Sequence, residues 1–146
     1  MFKKNILIYG ATGSIGESTL NLIRDNKEKF NIVGLTCNEN IHKAIKIANE
    51  FDCKDIGISN VELINQHKEE LINFRVYEGI EEFYSLVDEN NVDIIIFAIS
   101  GTSPLELLMQ LALSGKVIGL ANKECIICLG RLFLDKAHTF STKIVP

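Results

Sequence analysis

Short apolar strands alternating with amphipathic helices predict an α/β domain, a doubly wound, mainly parallel sheet with helices on both faces. Three observations carry this. The strand candidates are continuous apolar runs, such as Ile6-Leu7-Ile8 and Ile94-Ile95-Ile96-Phe97, as expected of strands covered on both sides. Between them lie stretches whose apolar residues recur at helical spacing. The loops after the strands are rich in small or polar residues, the first of them punctuated by Gly10, Gly13 and Gly16.

Taken in order, the first strand is predicted at Asn5–Tyr9 and a helix from about Ile15 to Asp25, with Ile15, Thr19, Leu22 and Ile23 on its apolar stripe. Phe30–Thr36 is a second strand, Cys37–Asn40 a polar loop, and Ile41–Phe51 a helix with Ile41, Ala44, Ile45, Ala48 and Phe51 on one side. Asp55–Ile58 is a short strand. Ser59 and Glu62 have the spacing of a capping box, which starts a helix through about Leu71. Phe74–Tyr77 is another short strand, Ile80–Val87 a helix and Asp93–Ile99 a buried strand.

Ser103 at the N-cap, Pro104 at the first helical position and Glu106 at the third open the next helix, which Gly115 ends. Lys116–Leu120 is a strand, Ala121–Glu124 its loop, and Cys125–Ala137 a helix interrupted by Gly130. Thr142–Val145 starts a last strand.

The 146 residues suffice for one domain with a sizeable core. A net charge of −4 argues against a nucleic-acid partner, which selects basic chains. No apolar run reaches the length of a membrane span, and the apolar part of MFKKNILIYG is already the first strand, so neither a membrane nor a signal peptide is expected. Cys37, Cys53, Cys125 and Cys128 then read as reduced thiols of a cytoplasmic protein.

The Gly10–Gly16 turn has the chemistry of an anion site. Gly10 can leave the strand in a conformation closed to other residues, and Gly13 lets the main chain approach a phosphate with no Cβ between. Gly16 allows the helix to pack close to the strand, while unpaired N–H groups at the helix start face the ligand. Thr12 and Ser14 add hydroxyl donors. In a doubly wound sheet the ligand lies beyond the C-terminal ends of the strands, where the loops at 10–16, 37–40, 100–103 and 121–124 converge. Dinucleotide binding is the reading this supports.

Other chemical-looking groupings carry less. Cys125 and Cys128 have C-x-x-C spacing but no second ligand pair, and the aliphatic Ile126, Ile127 and Leu129 around them favour two buried cysteines in a helix. His42, His67 and His138 lie far apart in sequence, and no nucleophile–base arrangement follows from them. The acidic run 78–89 reads as the solvated face of a helix. No catalytic residue and no metal site is therefore expected in this chain.

Two segments together resemble the N-terminal domain of the 1-deoxy-D-xylulose 5-phosphate reductoisomerases. One is GATGSIG leading into a helix. The other is Leu120-Ala121-Asn122-Lys123-Glu124, after a strand and before Cys125–Gly130, with the Ala98-Ile99-Ser100-Gly101 loop between them. The resemblance covers the whole chain. It implies an enzyme that isomerises 1-deoxy-D-xylulose 5-phosphate and reduces the product with NADPH to 2-C-methyl-D-erythritol 4-phosphate, in isoprenoid synthesis, using Mg²⁺ or Mn²⁺ and forming a homodimer at full length.

Position by position, it implies that Thr12, Gly13, Ser14 and Ile15 meet the NADPH phosphates within the Gly10–Gly16 turn. Cys37, Asn38, Glu39 and Asn40 fall at the adenosine ribose and its 2′-phosphate. Asn122 and Glu124 lie beside the cofactor, and Lys123 reaches the sugar-phosphate substrate. Glu39 departs from the basic residue expected near a 2′-phosphate; a carboxylate there would repel it and could instead accept a hydrogen bond from an NAD ribose, with Lys43 one turn on as compensation. The family's acidic metal cluster would come after a strand like Thr142–Pro146. Residues 1–146 are thus expected to be the dinucleotide-binding domain of a longer enzyme, inactive alone. The competing readings are the nucleotide domain of another NAD(P)-dependent oxidoreductase, such as a semialdehyde dehydrogenase, and a non-catalytic NADP(H) sensor.

Overall fold

The computed structural model describes residues 2–89, 92–99, 105–120 and 123–145, with the backbone alone for 89, 123–126 and 128–129. Seven strands form one parallel sheet in the order β4-β3-β2-β1-β5-β6-β7. These are β1 (Lys4–Tyr9), β2 (Phe30–Cys37), β3 (Asp55–Ile58), β4 (Arg75–Glu78), β5 (Ile94–Phe97), β6 (Val117–Leu120) and β7 (Lys143–Val145). Strands β2, β3 and β4 step outward on one side of β1, and the chain then returns to lay β5 on its other side. The order reverses between β1 and β5, which is where a doubly wound sheet opens its crevice.

The continuous apolar run of β1 is explained by its central place. Ile6 and Ile8 point into one layer with Leu20, Ile23, Ile32, Leu35, Ile47 and Ile56, while Leu7 and Tyr9 enter the other with Phe83, Phe97, Leu108, Ile118 and Phe133. Helices α1 (Ser14–Arg24) and α2 (Ile41–Glu50) supply the first layer. Helices α4 (Ile80–Phe83), α5 (Ser85–Glu89), α6 (Leu105–Ala112) and α7 (Lys123–Thr139) supply the second. A short α3 (Glu62–Gln66) follows β3.

The second layer contains a feature that depends on strand register. Pairing between β1 and β2 slips by one residue after Ile6, so that Leu7 stands opposite Gly34. A Cβ on Gly34 would lie 2.9 Å from Cζ of Phe83, and one on Gly57 would lie 2.9 Å from its Cδ2. The two glycines therefore form a flat floor under the Phe83 ring. Tyr9 and Tyr77 meet the same ring edge-on, with centroids 5.3 and 5.6 Å away.

Several local expectations are corrected. In α1 the buried residues are Gly16, Leu20 and Ile23, whereas Leu22 is 66% exposed. The helix is rotated so that Gly16 faces the turn, and this sets the stripe. In α2 Ile47 is buried where Ile45 and Phe51 were expected; both of these are only partly covered. Cys37 ends β2 instead of opening the loop. The Ser59–Glu62 capping box does not form. The Ser59 N–H instead donates to the Cys37 carbonyl at 2.9 Å, extending the strand pairing, and α3 is a single short helix with Val61 at its N-cap. Ile80–Val87 is two helical turns broken at Tyr84. The cap at Ser103 and Pro104 lies outside the described residues.

At the other end Gly115, at φ 72°, ends α6 as expected, and the Thr142 hydroxyl accepts from its N–H while donating to the Ala112 carbonyl. Helix α7 begins at Lys123, earlier than expected, and breaks at Gly130, where φ is 55° and ψ −141°. Among the described residues no helix is long and apolar enough to cross a membrane.

Candidate functional site

The cleft at the β1/β5 reversal encloses about 540 Å³ and is lined by residues at or just beyond the C-terminal ends of five parallel strands. Gly10, Thr12 and Gly13 come from the β1–α1 turn; Thr36, Cys37 and Asn38 from the end of β2; Ser59 from the end of β3. Ile80 opens α4, and Ala98 and Ile99 follow β5. Each strand delivers its residues to the same side because all seven run parallel.

The turn is built in two parts. Its first amides are committed to the sheet: Gly10 N–H donates to the Thr36 hydroxyl at 2.8 Å and Ala11 N–H to the Thr36 carbonyl at 2.9 Å. Gly10 has φ 84°, and a Cβ there would stand 3.0 Å from the Ala98 carbonyl carbon and oxygen, so both dihedral and space demand glycine. Gly16 is excluded from substitution by contact alone, because its Cβ would come within 2.4 Å of the Ala11 carbonyl oxygen. These two glycines hold the shape of the turn.

Gly13 differs. It is the N-cap of α1 in an extended conformation open to any residue, and no described atom lies within 4 Å of where its Cβ would stand. The space in front of it is empty cleft. The N–H groups of Ser14, Ile15 and Gly16 begin the helix and have no acceptor inside it. Together with the positive end of the helix dipole they make a donor set suited to a phosphate or pyrophosphate.

Behind the turn lies an ionic net. The Lys43 ammonium donates to the Thr12 carbonyl at 3.0 Å and stands 3.5 Å from Glu17. Arg24 reaches Glu17 at 3.1 Å and grips both oxygens of Glu50, at 2.6 and 2.8 Å, joining α1 to α2. The hydrogen bonds from Arg24 hold the Glu17 and Glu50 carboxyls below the usual carboxylate range. Glu17 thus sits in the first turn of α1 with its charge already answered.

At the far wall Cys37 is 1% exposed, and burial pushes its thiol up to about 12. It is therefore a neutral wall residue, unreactive at neutral pH. Asn38 and Glu39 are exposed, and the Asn40 side chain accepts the Lys43 N–H as the N-cap of α2. Lys43, expected as compensation near the 2′-phosphate, is engaged with Thr12 and Glu17.

The cleft thus gathers Gly10, Thr12, Gly13, Cys37 and Asn38 from the residues expected on sequence grounds. Gly16, Glu39 and Asn40 are placed around it in supporting or exposed positions. Lys123 and Glu124 begin α7, directly after the C-terminal end of β6, on the same side of the sheet. Asn122 lies outside the described residues, as do the side chains of Cys125 and Cys128. Thr36, Ser59 and Ile80 were not anticipated. Thr36 carried a signal, as a hydroxyl residue following the apolar run Ile32–Leu35 near the end of its strand.

The curated 1-deoxy-D-xylulose 5-phosphate reductoisomerase of Clostridium perfringens (strain 13 / Type A) is 35% identical over 147 residues, covering 98% of this chain and 38% of that protein. The chain therefore spans well under half the length of such relatives. A solved reductoisomerase from Zymomonas mobilis in complex with NADPH superposes with TM-score 0.89 at 29% identity, over 99% of this chain and 39% of that one. A DOX-P reductoisomerase structure in complex with NADPH, fosmidomycin and magnesium gives TM-score 0.89 at 31% identity, over 98% and 36%. A homoserine dehydrogenase from Thiobacillus denitrificans, 21% identical with TM-score 0.68, shares the fold alone, over 99% of this chain and 29% of that one. The family model described as 1-deoxy-D-xylulose 5-phosphate reductoisomerase matches residues 6–130. The chain belongs to the 1-deoxy-D-xylulose 5-phosphate reductoisomerase family.

Proposed function

We propose that residues 1–146 form the NADPH-binding domain of an enzyme that isomerises and reduces 1-deoxy-D-xylulose 5-phosphate to 2-C-methyl-D-erythritol 4-phosphate, a step of isoprenoid synthesis. The observation that carries this is the open face of Gly13 beside unpaired helix-start amides at the sheet's reversal point. Any side chain at 13 would fill that space, as expected of a cradle for a pyrophosphate. Relatives solved with NADPH support the choice of dinucleotide.

Thr12, Gly13, Ser14 and Ile15 hold the phosphates, with Gly10 and Gly16 shaping the turn around them. Cys37, Asn38, Glu39 and Asn40 form the adenosine end. Asn122 and Glu124 flank the nicotinamide end, and Lys123 offers a positive charge to the sugar phosphate or to an alkoxide developing on it. Bound NADPH supplies the hydride. Mg²⁺ or Mn²⁺ belongs, on this reading, to the longer enzyme, which acts as a cytoplasmic homodimer without nucleic-acid or membrane partners.

Two measurements test it. Calorimetric titration of the purified chain is expected to show NADPH binding more tightly than NADH. Tighter NADH would assign Glu39 to a ribose hydroxyl, and no heat with either would remove the cofactor role. For Lys123→Ala in the longer enzyme, turnover is expected to fall by about a hundredfold or more with NADPH affinity within twofold, since losing one preorganised charge at a developing oxyanion costs roughly that much. An active variant would take Lys123 out of the substrate site.

A further inference from the structure

Away from the cleft, His42 and His67, remote in sequence, meet over one carboxylate. His42 Nδ1 lies 2.9 Å from Glu70 Oε2, and His67 Nδ1 lies 3.3 Å from Glu70 Oε1. The rings stand edge to face, with centroids 5.1 Å apart at 81°. One donor atom from each of the three residues can be chosen so that all lie within 4.8 Å of one another. We propose that His42, His67 and Glu70 form a site for a late first-row divalent transition ion, with Zn²⁺ as the ion best suited to it.

The donor set decides the class. Two imidazoles and one carboxylate suit Zn²⁺, Ni²⁺ or Cu²⁺, whereas Mg²⁺ and Ca²⁺ require oxygen ligands. In a tetrahedral Zn²⁺ shell with bonds of about 2.1 Å the ligand atoms stand roughly 3.4 Å apart, so adjustments of the order of an ångström complete the site. Each histidine coordinates through Nδ1 as the tautomer protonated on Nε2. The His42 side chain is 73% exposed, which leaves the fourth position open to water.

The supporting segments are anchored before any ion arrives. Ile41, beside His42, and Leu71, beside Glu70, are both buried. His67 N–H donates to the Leu63 and Ile64 carbonyls, and Leu71 N–H donates back to His67. The ion would clip the first turn of α2 to the chain after α3. Two rungs already join the neighbouring loops, Ser59 N–H to the Cys37 carbonyl and Asn60 N–H to that of Asn38. A bound ion therefore adds a third tie to the wall of the cleft formed by β2 and β3. This holds whatever ligand the cleft takes.

The test is Zn²⁺ titration of the chelator-treated chain against a chromophoric competitor, with melting temperature recorded in parallel. The expected result is one Zn²⁺ per chain, a rise in melting temperature with Zn²⁺ but not with Mg²⁺, and at least roughly tenfold weaker binding in His42→Ala, His67→Ala and Glu70→Gln. His42→Ala, the most exposed of the three changes, leaves the fold undisturbed and keeps the comparison interpretable. Co²⁺ substitution should give visible d–d bands without a thiolate-to-cobalt charge-transfer band. Unchanged Zn²⁺ affinity in His42→Ala or His67→Ala, or a charge-transfer band reporting cysteine ligation, would overturn the site.

Discussion

Gly13→Val is expected to leave the domain folded and to weaken NADPH binding by at least about a hundredfold, roughly 2.7 kcal/mol. The two halves of that expectation have separate causes. With φ −82° and ψ 179°, residue 13 is in extended backbone that a β-branched side chain adopts readily, and a new Cβ would touch nothing within 4 Å. Exchanging a glycine N-cap for valine costs about 1 kcal/mol, and the stiffer unfolded chain returns part of it. The new methyls would stand in the empty space before the helix-start amides, where a pyrophosphate must come into contact. Circular dichroism and calorimetry on the same preparation separate the outcomes. Retained affinity would dismiss the phosphate cradle, and a collapsed fold would show that position 13 is structural.

The largest loss of stability is expected from Phe83→Ala, about 4 kcal/mol, within the range for emptying a fully buried aromatic site. Phe83 is 0% exposed and touches two tyrosine rings, and on its other side lie Gly34 and Gly57, which cannot swell to fill the gap. Against the 5–15 kcal/mol typical of a domain, roughly that much is a large share. Urea denaturation should show a lowered midpoint with little change in slope. A second substitution makes the cause specific. Gly57→Ala alone puts a Cβ 2.9 Å from the Phe83 ring and should destabilise, but in the Phe83→Ala background it should cost less than in the native one. Strict additivity of the two would mean that the ring and the glycine floor do not act on each other.

The residues show where sequence reasoning reached and where it stopped. Continuous apolar runs at β1 and β5 were enough to read them as buried strands of a doubly wound sheet, because only strands covered on both faces carry such runs, while the strand order that puts them at its centre was not legible. The Gly10–Gly16 turn was legible for the same kind of reason, since each glycine answers a local demand of backbone or space. What was hidden depended on register and rotation. The stripe of α1 followed from Gly16 packing on the Ala11 carbonyl, which apolar spacing alone does not encode.

The floor under Phe83 required a one-residue slip between β1 and β2. Ser59 has the spacing of a cap, yet its N–H continues a strand ladder, a choice made by β2 and not by its own neighbours. His42 and His67 looked unrelated because their proximity exists only after α2 and α3 have docked.

The mooring of the Lys43 ammonium to the Thr12 carbonyl bears on how such a domain can drift over generations. Position 43 answers to the shape of the turn, so it is poorly placed to be recruited for telling one dinucleotide from another. Exposed positions 38 and 39 are under no such obligation. Lineages that switch nucleotide would be expected to rewrite those two letters and leave the lysine standing.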